Sequence, residues 1–169
     1  MTALLALALA LLLCGCGQSG EEAAFYIYYP AAQDSAADFA LGREQWTEAS
    51  PTVEAAVERL LQPPAGEELR SVFPKGVRLR DWRLEAGVLT LNFSEDYSAL
   101  TGVELTLANY CAALTCAELP GVERVSILVE GQPLPEGSSG PFSPEDLLRS
   151  GEPGEENTNL HLDEGKESG

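Results

Sequence analysis

Histidine is nearly missing from this chain: His161 is the one example in 169 residues. Catalysis by a Ser/His/Asp or Cys/His arrangement, or a multi-histidine metal site, would have to run through that residue. It stands in a polar C-terminal stretch, so those chemistries are set aside. Positive charge is scarce too, with 10 Lys and Arg against 27 Asp and Glu and a net charge of −17. So acidic a chain repels phosphate backbones and anionic head groups, so no nucleic-acid partner is expected. There is no D-x-[DN]-x-[DN]-G calcium loop, no phosphate-cradling glycine loop, no Gly-x-Ser-x-Gly elbow and no tandem repeat. No apolar run reaches the roughly 20 residues that cross a bilayer. These absences point to a chain without metal, cofactor or catalytic residues, which is read as not an enzyme. Its length suits one domain, since about 100 to 200 residues per domain is usual.

What is present begins with a leader. Ala3 to Leu13 is an apolar run of eleven residues, which fits the about 7 to 15 residues of an export signal. Leu13-Cys14-Gly15-Cys16 follows and resembles a bacterial lipobox. Cys16 is the expected lipid anchor, because using Cys14 would put the bulky Leu13 just before the cut. No Lys or Arg precedes the run, a departure from the usual pattern. Residues 1–15 are thus read as signal peptide and 16–24 as a lipidated tether, with two acyl chains anchoring where one barely does. Cys111 and Cys116 stand five apart in a helical segment. That spacing separates the thiols by about 500° and about 7.5 Å along the axis, so they are read as small apolar residues rather than a disulfide.

Order is expected from Phe25. Phe25 to Tyr29 is aromatic and β-branched and reads as a strand closed by Pro30. Loose alternation near Phe39 to Trp46 suggests a second strand. Ser50 as cap and Pro51 at the first position open a helix whose buried stripe is Val53, Ala56, Val57, Leu60 and Leu61, and Pro63-Pro64 stops it. Val77 to Leu84 and Val88 to Phe93 read as a hairpin around Glu85-Ala86-Gly87. Thr101 and Glu104 form a T-x-x-E capping box for a second helix running to about Glu118, with the stripe Leu107, Tyr110, Cys111 and Leu114. Val125 to Val129 reads as a central strand, and Gly131 begins the exit. The expected class is α/β in the α+β sense: one small mixed sheet of four or five strands on two helices, in the order β-(β)-α-β-β-α-β. Residues 150–169 carry too little apolar surface to offset the entropy of folding and are read as a disordered acidic tail.

Several of these stretches together resemble the GerMN domain. They are Tyr26-Ile27-Tyr28-Tyr29-Pro30, the helix Val53 to Leu61, Leu69 to Gly76, Gly87 to Ser94 and above all Thr115 to Gly131, which follows the run TLxELPGVxxVxxxVxG. Pro141 to Arg149 is similar to the segment that often closes that domain. Departures are Cys116 for leucine, Gln62-Pro63-Pro64 for a small residue and Gly-Pro, and Asn92 for aspartate. The resemblance covers residues 25–149. It implies an extracytoplasmic, lipid-anchored bacterial protein linked to sporulation or spore germination, on the outer face of the cell membrane. It also implies binding or scaffolding of other envelope proteins, self-association included. Because the motif consists of turn and core residues, it speaks for fold more than chemistry.

Adjacent acids (Glu21-Glu22, Glu67-Glu68, Glu95-Asp96) lie in polar turns or the tether and read as solvated charge. The cationic residues, by contrast, concentrate. Arg70, Lys75, Arg78, Arg80 and Arg83 lie within fourteen positions beside Trp82. Alternation places Arg78, Arg80 and Trp82 on one strand face, a candidate partner surface, since arginine and tryptophan are enriched where proteins dock. The competing reading is an edge strand charged against aggregation. A solute- or wall-ligand-binding receptor is the alternative function, and a buried polar pocket would favour it.

Overall fold

The computed structural model describes residues 24–32, 41–47, 51–135 and 138–149. The leader, Cys16, Phe39, the cap assigned to Ser50, His161 and the acidic tail lie outside them. Strands β1 (Phe25–Pro30) and β2 (Leu41–Trp46) come first, then helix α1 (Val53–Leu61). The hairpin β3 (Leu79–Glu85) and β4 (Val88–Phe93) leads through a 3-10 turn (Glu95–Ala99) into helix α2 (Gly102–Ala117). Strands β5 (Arg124–Val129) and β6 (Gln132–Pro133) and a short helix α3 (Pro144–Arg149) complete the order. The α+β class and the two principal helices are as expected.

The strands, however, form two sheets instead of one: β1 and β2 pair alone, and the other four run β3-β4-β5-β6. The outer edge of β1 is already occupied. Its Tyr28 N–H donates to Thr115 Oγ1 on α2 at 3.0 Å. Beyond it, Ala32 N–H donates to the Glu68 carbonyl at 2.8 Å and Arg70 N–H to the Pro30 carbonyl at 2.9 Å. These bonds tie the edge of β1 to α2 and to the segment before β3, and the hairpin does not join it. Both helices touch both sheets: α1 packs on β1 and β3, α2 on β1 and β5, and the helices pack on each other. One core results, centred on Ile27, Tyr29, Leu60, Leu89, Leu91, Phe93, Val125 and Ile127.

Helix α1 begins two residues later than its sequence suggests. Thr52 is the cap, its Oγ1 accepting from Ala55 N–H at 3.2 Å, and Pro51 precedes it. Helix α2 does start after Thr101, but Thr101 makes no side-chain cap bond and Glu104 does not reach back to it. Glu104 instead grips Arg70, with Nη2 to Oε1 at 3.0 Å and Nη1 to Oε2 at 3.2 Å. The expected stripe on α2 is also too narrow. Burial runs from Leu107 through Cys116 with only Tyr110 half-buried, because a helix with elements on several sides has no face left for solvent.

Strands β4 and β5 are parallel, joined through α2, while β3-β4 and β5-β6 are antiparallel. Both tight turns use two residues with positive φ: Ala86 at 47° and Gly87 at 77°, then Glu130 at 49° and Gly131 at 75°. That pair of signs is the type I′ turn whose twist matches the flanking strands. The exit at Gly131 is thus a second hairpin, and β5 is interior as expected.

Candidate functional site

The cationic segment from Arg70 to Arg83 does not form one surface. Arg70 leaves it first: its fork on Glu104 is partly buried and ties the loop before β3 to the first turn of α2. Lys75 is exposed beside Gly76, which has φ 97°. The expected shared face of Arg78, Arg80 and Trp82 is broken by a bulge. Leu79 pairs with Phe93 and Asp81 with Asn92, so Arg80 is an extra residue and the alternation shifts there. Residues directly opposite in a pair share a face. Trp82 opposite Leu91 and Leu84 opposite Leu89 therefore continue the core side of the sheet to its edge. Asp81, Arg83 and Glu85, opposite Asn92, Thr90 and Val88, lie on the other side.

Each cation on the strand has acidic company. Arg80 Nη2 lies 3.3 Å from Glu130 Oε2, and Arg83 Nε lies 3.4 Å from Glu85 Oε1. Both pairs are exposed, a setting in which an ion pair contributes about 0 to 1 kcal/mol. Lys75 and Arg78 make no ion pair among the described residues. Trp82 is anchored from α1: its indole N–H donates to Glu54 Oε1 at 2.6 Å. That bond, foremost, holds the Glu54 carboxyl below its ordinary value, and backbone groups of the helix's first turn add to it.

Arg78, Arg80, Ser94, Glu95, Asp96 and Glu130 line an open depression of about 320 Å³ at the end of the hairpin. Ser94 is nearly buried there, but its hydroxyl is committed: Oγ accepts from Arg78 N–H at 3.1 Å and lies 3.3 Å from Asp96 Oδ2. It fastens the end of β4 to the start of β3. Among the described residues no group of three or more His, Cys, Asp or Glu side chains is placed to hold a metal ion, and no helix is long and apolar enough to cross a membrane.

The tight polar contacts lie deeper. Arg59 at the end of α1 pairs with Glu44 on β2 and donates to the Tyr29 hydroxyl at 2.8 Å. Tyr97 O–H donates to Asn109 Oδ1 at 2.7 Å, and Asn109 Nδ2 donates to the Ser138 carbonyl at 2.8 Å. Cys111 and Cys116 are free and buried. Desolvation raises both thiols, Cys116 to about 12. None of these pairings follows from local pattern, and all of them hold elements together. Leu84 and Glu130 were missed as surface residues; the signal for Leu84 was its two-residue spacing from Trp82.

The family model for sporulation and spore germination, Germane, matches residues 26–135. The chain belongs to this family of GerMN domains. Two solved structures from Bacillus subtilis share its fold. The tandem GerMN domains of the sporulation protein GerM align at TM-score 0.54 and 22% identity, over 71% of this chain and 44% of that one. The first GerMN domain of the same protein aligns at TM-score 0.55 and 14% identity, over 71% of this chain and 93% of that domain. This GerMN chain thus spans less than half of the tandem pair. No curated protein matches it in sequence.

Proposed function

We propose that this GerMN protein is a non-enzymatic binding or scaffolding module, held on the extracytoplasmic face of the cell membrane by lipid on Cys16 and acting in the assembly of the sporulating or germinating cell's envelope. The observation that carries the reading is the match of residues 26–135 to a sporulation and germination family. The residues that the motif shares build a frame. What the frame presents to solvent is a mixed-charge hairpin, a surface suited to another protein. The lipobox-like Leu13-Cys14-Gly15-Cys16 supplies the anchor, and the single His161 leaves little for acid–base catalysis.

The test is the count of heat-resistant, colony-forming spores in a strain lacking the gene, complemented with wild type or Cys16→Ser, alongside membrane fractionation. Wild type restores the count and sediments with membranes; Cys16→Ser does neither. Full rescue by Cys16→Ser sinks the anchor, and an undiminished count in the deletion strain sinks the process.

A further inference from the structure

The two edges of the four-stranded sheet are built differently. Strand β6 has two residues, and one is Pro133, which lacks a backbone donor and closes that edge to pairing. Strand β3 has seven residues and no proline, and every residue after Leu79 is exposed. Among the described residues it pairs with β4 alone. The two-residue turn makes Glu85 and Val88 a hydrogen-bonded pair, so bonded and non-bonded pairs alternate back along the strand. Trp82 and Leu84 fall on non-bonded pairs. Their N–H and C=O groups point away from β4, and no backbone bond joins them to another element among the described residues. Their side chains are also open, Trp82 at 38% and Leu84 at 37%, two of the three exposed large hydrophobics among the described residues.

We propose that β3 pairs antiparallel with β3 of a second copy of this chain, centred on Trp82, joining the two sheets into one. Charge selects both occupant and register. The strand Leu79–Glu85 carries two Arg and two acids, so it is locally neutral in a chain of net −17. Trp82 is its midpoint, and centring there overlaps the full strand. The outward groups of Trp82 meet those of its counterpart, and Asp81 of each copy faces Arg83 of the other twice over. Centring on Arg83 sets Trp82 against Leu84 and avoids the bulge at Arg80, but it sets arginine against arginine and Asp81 against Glu85, and like charges directly opposite are destabilising. The pairing rests on the scaffolding role proposed above and gives it a first partner.

The register is tested in cells on the full lipidated chain. Two differently tagged copies are co-expressed, one carrying Asp81→Cys and the other Arg83→Cys. Facing positions of a non-bonded pair lie about 4.5 Å apart at Cα, within disulfide reach. The expected result is a disulfide-linked dimer of unlike tags, roughly tenfold above the yield when either variant is expressed alone. In a parallel sedimentation experiment on detergent-extracted protein, Asp81→Arg and Arg83→Asp each weaken dimerisation roughly tenfold and the double exchange restores it. Absence of the mixed dimer with both copies present in the membrane overturns the proposal. So does linkage of Arg83→Cys alone at equal yield, which marks the other register. The spore count with Cys16→Ser tests the anchored-module reading separately, so the failure of one is distinguishable from the failure of the other.

Discussion

Helices α1 and α2 are both apolar enough to enter a core, yet they use it in opposite ways. Helix α1 buries Val53, Ala56, Val57 and Leu60 and turns Glu54 and Glu58 to solvent. Helix α2 has one charged residue, Glu104, in its sixteen and buries nine of them. The first lies at the rim, against β1, β3 and its fellow helix; the second meets β1, α1, β5 and α3. A helix shows a clean 3.6-residue period only where one of its sides meets water. Surrounded on several sides, α2 uses small residues instead: Ala108, Cys111, Ala112, Ala113 and Cys116 let neighbouring elements approach closely.

The contrast breaks or sharpens under substitution. The largest effect is expected at the centre of the α1 stripe, where Leu60→Ala costs about 2 to 5 kcal/mol in denaturant unfolding. On the same helix Glu58→Ala stays within about 0.5 kcal/mol. Between residues 107 and 116 helix α2 has no such silent side: Ala108→Leu and Ala112→Leu, both fully buried, each cost about 1 to 3 kcal/mol by overpacking. A position between 107 and 116, Tyr110 aside, that accepts a larger side chain freely in the same assay would erase the distinction.

Titration separates the helices further. Burial in α2 raises the Cys116 thiol from 9.0 to about 12. The native state therefore holds that proton more tightly than the unfolded chain does. Its contribution to stability is complete below pH 9.0 and is lost as the pH rises toward about 12. Unfolding followed across that window should show the decline, and Cys116→Ala should make it shallower without abolishing it, because the buried Cys111 thiol is raised as well. The smallest effect belongs to α1. Glu54 is held low by the Trp82 indole, so the stability it contributes is present above its unfolded value and fades as pH falls through its folded one. Trp82→Phe should return the carboxyl toward 4.5 in an NMR titration; an unchanged value would show that the helix's own backbone groups suffice.

Local pattern foretold much of the frame. The α1 stripe, the alternation of Leu89, Leu91 and Phe93 and the extent of α2 follow from spacing and from breakers such as Pro63-Pro64 and Leu119-Pro120-Gly121. The expected partner surface fared differently. An extra residue at Arg80 carries no signature of its own, since a bulge looks like one more strand residue until its partner strand is known. Glu104 matched a capping box in spacing but sits nearer to Arg70, thirty-four residues away in the chain, than to any use at its own cap. The two-residue β6 is too short for periodicity to register at all.

The sequence by itself determined what depends on neighbours along the chain: two helices, a strand hairpin, and turns set by Gly87 and Gly131. These rest on backbone preferences and on periods of 2 and 3.6, which few residues suffice to express. Tertiary structure alone decided that the strands split into two sheets, that α2 is enclosed, that Arg70 is withdrawn from the surface and that β3 is the open edge. Those outcomes turn on which donors and charges meet across long separations, such as Tyr28 with Thr115, and no local window contains both members of such a pair.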